Sequence, residues 1–211
     1  MGRLSGIMGG LHGLANWFMR LSVVNLFWFI VNLPIFVIIL SALQHEELGG
    51  KMLYMIPAVI FIPFILFPST TAMFAIVRDW VLQNEQDSLW RTYFSYIKTN
   101  YKSSMISGLI WSVIWLIAII DVNYFLGKKE LLTIFFIILA IFLLLTNIIF
   151  FSIQVHYDMR IKELFKNSFF VAIGSPLLLI SLFIVILLVV IITRKVWFFL
   201  PFFSGTICTL L

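Results

Sequence analysis

The residues best placed to do chemistry are four in a row, Pro68, Ser69, Thr70 and Thr71, inside a long uncharged run. A proline near the start of a helix leaves backbone N–H groups free. Free N–H groups, the positive end of the helix dipole and three hydroxyls would together suit an anionic or hydroxyl-rich ligand within a membrane. The commoner use of such a sequence is a packing kink, with the hydroxyls bonded back to the chain or to a neighbouring helix. A second set is Asn25, Asn32 and Asn147, uncharged polar residues inside apolar runs. Their plainest role is interhelical hydrogen bonding, at about 0.6 kcal/mol per bond; their sharper role would be to line a substrate path. No acidic or basic residue lies in mid-span, where an ion-coupled transporter usually carries one. Asp121 is the nearest, and it sits at a span end. A third set is Arg78, Arg91, Lys98, Asn100 and Lys102, with Lys162 and Lys166 from a later loop. These read as a cytoplasmic face. Setting topology is the ordinary work of such charges, and docking a protein partner or anionic lipid is the alternative.

Enzyme motifs fail on inspection. His45-Glu46-Glu47-Leu48-Gly49 begins like a zinc-protease HExxH, but glycine stands where the second histidine is required. His12, His45 and His156 lie in separate segments with no ligand spacing, and there is neither a P-loop nor a Gly-x-Ser-x-Gly elbow. The single cysteine, Cys208, excludes an intramolecular disulfide and a thiolate metal cluster. We therefore expect no catalytic residues, no metal, no cofactor and no enzymatic activity.

The elements that must position these residues follow from the apolar pattern. The chain is 63% hydrophobic and 11% charged, with a mean hydropathy of +1.13. A soluble domain has roughly a quarter of its residues charged. So few charges cannot cover a water-facing surface, and lipid must be the main solvent. The excess of Lys and Arg fits cytoplasmic loops better than nucleic acid.

Ile7, Leu11, Leu14, Phe18 and Leu21 share one helical face, so residues 1–20 read as an interfacial amphipathic segment anchored by Trp17 and Arg20. Spans are expected at 21–43, 52–82, 103–121, 131–156, 168–193 and 196–211, forming a single bundle over 21–211. On the first span Asn25, Trp28 and Asn32 share a face that should point inward, and Pro34 should kink it. Met52–Val77 is uncharged for 26 residues and holds Pro57, Pro63 and Pro68. As one straight helix it would run about 39 Å against about 30 Å of hydrocarbon, so a break is expected near Phe67-Pro68-Ser69. Asp87 or Ser88 should cap a separate interfacial helix carrying Trp90, Tyr93, Phe94 and Tyr101 as an aromatic belt. With the N-terminus inside, nine Lys and Arg fall on inside segments and five on outside loops, which favours that orientation. The last run ends without a polar anchor, as if the chain were cut short or ended within the bilayer.

Several stretches resemble a known family. ANWFMRLSVVNLFW (15–28), FPSTTAMFAIVRDW (67–80) and YFSYIKTNYKS (93–103) are similar, in order, to the opening, the Pro-[Ala/Ser]-Thr-Thr-Ala motif and the Lys-x-Asn-aromatic stretch of the YesL-like bacterial membrane proteins, a domain-of-unknown-function family. Residues 151–176 and 200–205 are similar too. The resemblance implies a chain that continues past Leu211. It also implies a Gram-positive cell-membrane protein encoded beside carbohydrate ABC transporters, glycoside hydrolases and two-component regulators.

The expectation is thus an all-α, polytopic transmembrane bundle of about six spans, possibly five, with a proline-broken second span. On the resemblance, its expected role is accessory to carbohydrate or oligosaccharide uptake. A permease in its own right, and a membrane sensor or scaffold docking a two-component partner, are the alternatives. Expected partners are the bilayer, an ABC permease or a sensor kinase, and a second copy of the chain, with no nucleic acid.

Overall fold

A computed structural model describes residues 4–44, 48–84, 88–196 and 199–209. Among these residues every regular element is helical: α1 (Leu4–Gln44), α2 (Leu48–Phe61), a π-helical segment (Ile62–Leu66), α3 (Phe67–Val81), α4 (Leu89–Phe125), α5 (Glu130–His156), α6 (Ile161–Gly174), α7 (Pro176–Lys195) and α8 (Phe199–Thr209). Five stretches are long and apolar enough to cross a membrane: Ala15–Gln44, Met55–Val81, Leu89–Phe125, Glu130–His156 and Pro176–Lys195. A polytopic helical bundle is the result, as the composition requires.

The structure corrects several boundaries. The expected interfacial segment 1–20 and first span form one helix, and it runs through Pro34. Its four early glycines, Gly6, Gly9, Gly10 and Gly13, weaken a helix by about 1 kcal/mol each, but the following apolar run propagates through them. The expected interfacial helix after Ser88 and the third span are likewise one 37-residue helix, α4. Ser88 occupies the cap position with extended backbone and makes no side-chain cap bond; Asp87 lies outside the described residues. The fifth span is not one helix. It breaks at Ser175, the residue before Pro176, because a residue preceding proline is driven out of the helical region. The sixth is an 11-residue helix, α8, about 16 Å long.

The proline break of the second span also moves. Neither Pro63 nor Pro68 has an N–H for the carbonyl four residues back, and each ring crowds that carbonyl. The chain answers with one wide turn between them, closed by the Phe67 N–H on the Ile62 carbonyl. The helix is therefore continuous from Leu48 to Val81, and its irregularity lies at 62–66 rather than 67–69. Gly108 of α4 packs directly on this turn: a Cβ there would lie 2.8 Å from Phe67 Cγ and 2.9 Å from Pro63 Cα.

α3 is the centre of the molecule. It touches α1, α4, α5 and α8, and Ala72, Met73, Ile76 and Val77 are buried on it. On one side Phe67 and Phe74 pack with Trp111 of α4 and with Phe150 and Phe151 of α5; on the other Met73, Ile76 and Trp80 pack with Val24 of α1 and Tyr93 of α4. α6 runs antiparallel to α5, with Phe165 on Phe150 and Phe169 on Phe142. After the break, Leu178 and Leu182 of α7 join Ile148, Ile149 and Ile153 of α5 around a small cavity of about 120 Å³.

Candidate functional site

The hydroxyls at 69–71 form a hub that ties α3 to three other helices. Each bonds first to its own helix, as short hydroxyl side chains commonly do. Ser69 and Thr70 donate to the Leu66 carbonyl at 3.0 and 2.6 Å, and Thr71 donates to the Phe67 carbonyl at 3.0 Å. Their remaining capacity goes outward. Toward α1, the Trp28 indole N–H donates to Thr70 Oγ1 at 2.9 Å, and Asn32 Nδ2 donates to Ser69 Oγ at 2.8 Å. Toward α4, Tyr93 donates to the Ser69 carbonyl at 3.1 Å, and Ser104 donates to Thr71 Oγ1 at 2.9 Å. Gln154 of α5 reaches Ser104 at 3.3 Å. Pro68 is buried in the first turn of α3. Because the helix runs on through it, this turn presents no free helix end.

Asn25 and Asn32 are fully buried, facing inward as the spacing predicts. Asn25 Oδ1 accepts from the Gly205 and Thr206 N–H groups at 2.8 and 3.1 Å, which docks α8 on α1. Asn147 lies elsewhere. It lines a chamber of about 590 Å³ beside the π-helical turn, walled by Ile62, Leu66, Trp115 and Ile148 among others. Its carboxamide oxygen is buried and has no hydrogen-bond partner.

The basic set divides. Arg91, Lys98, Lys102, Lys162 and Lys166 are exposed. Asn100 is part-buried and donates to the Tyr96 carbonyl at 3.2 Å. Arg78 is not part of that open face. Its guanidinium pairs with Asp79 at 2.8 Å, bonds the Val155 carbonyl and lies 6.0 Å over the Tyr96 ring. Asp79 is buried and also accepts from the Tyr96 hydroxyl. This cluster clamps α3, α4 and α5 together, with Arg78 at the C-terminal end of α3, where the helix dipole favours a cation.

Sequence reasoning missed Asp79, Tyr96, Ser104 and Gln154. An Arg-Asp pair directly after a 26-residue uncharged run was the available signal for the first. Tyr93, expected on the interfacial belt, is fully buried, whereas Trp90, Phe94 and Tyr101 are exposed. Period alone does not separate the inner from the outer aromatic face of a helix that is apolar on both. His45, Glu46 and Glu47 lie outside the described residues. No group of three His, Cys, Asp or Glu among the described residues is placed to hold a metal.

The fold and its interior define a polytopic helical membrane protein whose helices are cross-linked by an uncharged hydroxyl hub and by the Arg78–Asp79–Tyr96 clamp. Residues 21–122 match the family described as "Protein of unknown function, DUF624". The chain is also 26% identical over 212 residues to the "Uncharacterized protein YesL" of Bacillus subtilis (strain 168), covering 99% of this chain and 88% of that protein. The chain is thus similar to that family over residues 21–122 and to a YesL protein over nearly its whole length. No solved structure matches.

Proposed function

We propose that this protein is an accessory component of an oligosaccharide-uptake system in the cell membrane of a Gram-positive bacterium, and is not itself the conduit. One observation carries the second half of that reading: the hydroxyls at 69–71, with Asn32, Ser104 and Gln154, bond to one another across helices. A hydrophilic solute crossing the bundle would need those groups unpaired and facing a path. The first half rests on the genomic company kept by the proteins this chain resembles. The exposed Arg91, Lys98, Lys102, Lys162 and Lys166 are then the docking face for an ABC permease.

The N-terminus is cytoplasmic in this reading. Arg194 and Lys195 are among the five outside charges if the last two runs each cross the membrane. Phe199 donates to the Val196 carbonyl at 3.0 Å, its ring meets Phe203 at 5.4 Å, and Phe203 meets Phe18 at 4.4 Å. The end of α7 thus lies beside the start of the first span, on the side of Arg20. The count then becomes eleven inside against three outside, which supports the orientation.

The test is paired. Deleting the gene should lower oligosaccharide uptake by native cells, and the purified protein alone in proteoliposomes should pass no labelled oligosaccharide. Flux through the protein alone would establish a permease instead. Charge reversal at Lys98 and Lys102 should release a co-purifying permease; release of a sensor kinase in its place would make the protein a signalling scaffold.

A further inference from the structure

The chamber beside the π-helical turn has features that helix packing does not use. Its volume, about 590 Å³, falls within the range of roughly 300–1,000 Å³ typical of small-molecule pockets. No charged side chain among the described residues lines it. Five of its lining side chains carry a polar group, Trp28, Thr70, Ser112, Trp115 and Asn147. Trp28 bonds Thr70, Thr70 bonds the Leu66 carbonyl, and Ser112 bonds the Gly108 carbonyl at 2.7 Å. Trp115 offers only a donor. Asn147 is 8% exposed, with Oδ1 unpartnered. Leaving such an acceptor buried and unpaired costs about 1–3 kcal/mol. Water is a poor remedy here, because a buried water needs two to four polar partners.

The mouth of the chamber faces lipid. Val59 on α2 and Leu116, Ile119 and Ile120 on α4 line it, and the same side chains are exposed on the outer surface of the bundle. An occupant enters sideways from the bilayer. It must be apolar along its length, uncharged, and able to donate one hydrogen bond. We infer that the chamber binds one aliphatic chain of an uncharged lipid alcohol, whose hydroxyl donates to Asn147 Oδ1. The wide turn at Ile62–Leu66 sets Ile62 and Leu66 as the chamber's wall, which gives that irregularity a use beyond accommodating two prolines.

The experiment uses the full chain in nanodiscs with a hexadecanol carrying a photoreactive diazirine in its chain. The label should map to α2, α4 and α5 around the chamber. Unlabelled hexadecanol should compete; hexadecane and palmitate should compete poorly, because one lacks the donor and the other brings a charge. Asn147→Leu should reduce labelling about three- to tenfold, the range expected for one neutral hydrogen bond. Its thermal stability should not fall, since the substitution removes an unpartnered oxygen. Leu116→Trp leaves Asn147 in place and obstructs the mouth, and it too should abolish most labelling. Equal competition by hexadecane, unchanged labelling in either variant, or label spread over the lipid face of α7 would overturn the inference.

Discussion

α3 and α7 are both membrane helices, and they are built in opposite ways. Twelve of the fifteen residues of α3 are buried, including Ser69, Thr71 and Asp79. In α7 two of twenty are buried, Leu182 and Val189, and the rest is a nearly unbroken aliphatic surface. The more polar helix is the one in the centre. In water the reverse would hold. In lipid, apolar side chains gain little by leaving the solvent, so hydrogen bonds and close packing decide which helix goes inside. The difference gives α3 its place as hub and leaves α7 as a lipid-facing wall.

Five substitutions break or sharpen that contrast. The largest effect is expected at the clamp. Asp79→Ala leaves Arg78 part-buried and without its carboxylate, and should lower unfolding stability by about 3–5 kcal/mol, the cost of breaking a buried pair from one side. A denaturant titration in mixed micelles would check this. Next is Gly108→Val, which forces atoms into the backbone of the π-helical turn and should cost about 1–3 kcal/mol by overpacking; thermal unfolding in detergent reads it directly. Ser69→Ala and Thr71→Val should each cost about 0.6 kcal/mol, and up to ~1.7, and a double-mutant cycle with Asn32→Leu should show coupling for Ser69 but not for Thr71. Smallest is Leu188→Ile on the outer face of α7, which should stay within about 0.5 kcal/mol of the parent in the same titration. If α7 proves as sensitive as α3, the contrast is wrong.

The sequence made this division partly visible. Helical class followed from 63% apolar residues and the lengths of the runs. The inward face of α1 followed from Asn25 and Asn32 seven residues apart, a spacing that keeps two groups on one side of a helix. Other features depend on which helix comes to lie against which. Pro68 marks an irregularity, but its placement one turn earlier depends on Pro63 acting with it and on the approach of Gly108. Asp79 and Tyr96 are seventeen residues apart with a connecting segment between them, and no local pattern joins them. The chamber is assembled from five helices and the π-helical turn, so only Asn147, an amide isolated in an apolar run, hinted at it.

The central claim is that the hydroxyl hub at 69–71 is closed by helix-to-helix bonds and lines no aqueous path. Cys208 is the single native cysteine, so a Cys208→Ala background permits a direct test. Thr71→Cys and Ser104→Cys, each in that background, would be treated with a membrane-impermeant thiol reagent from each side of the membrane, with Lys98→Cys as the accessible control. The account predicts rapid labelling at position 98 and none at 71 or 104 from either side until the protein is unfolded. Labelling at 71 or 104 in the folded protein would mean that water reaches the hub, and the bundle would then have to be treated as a conduit.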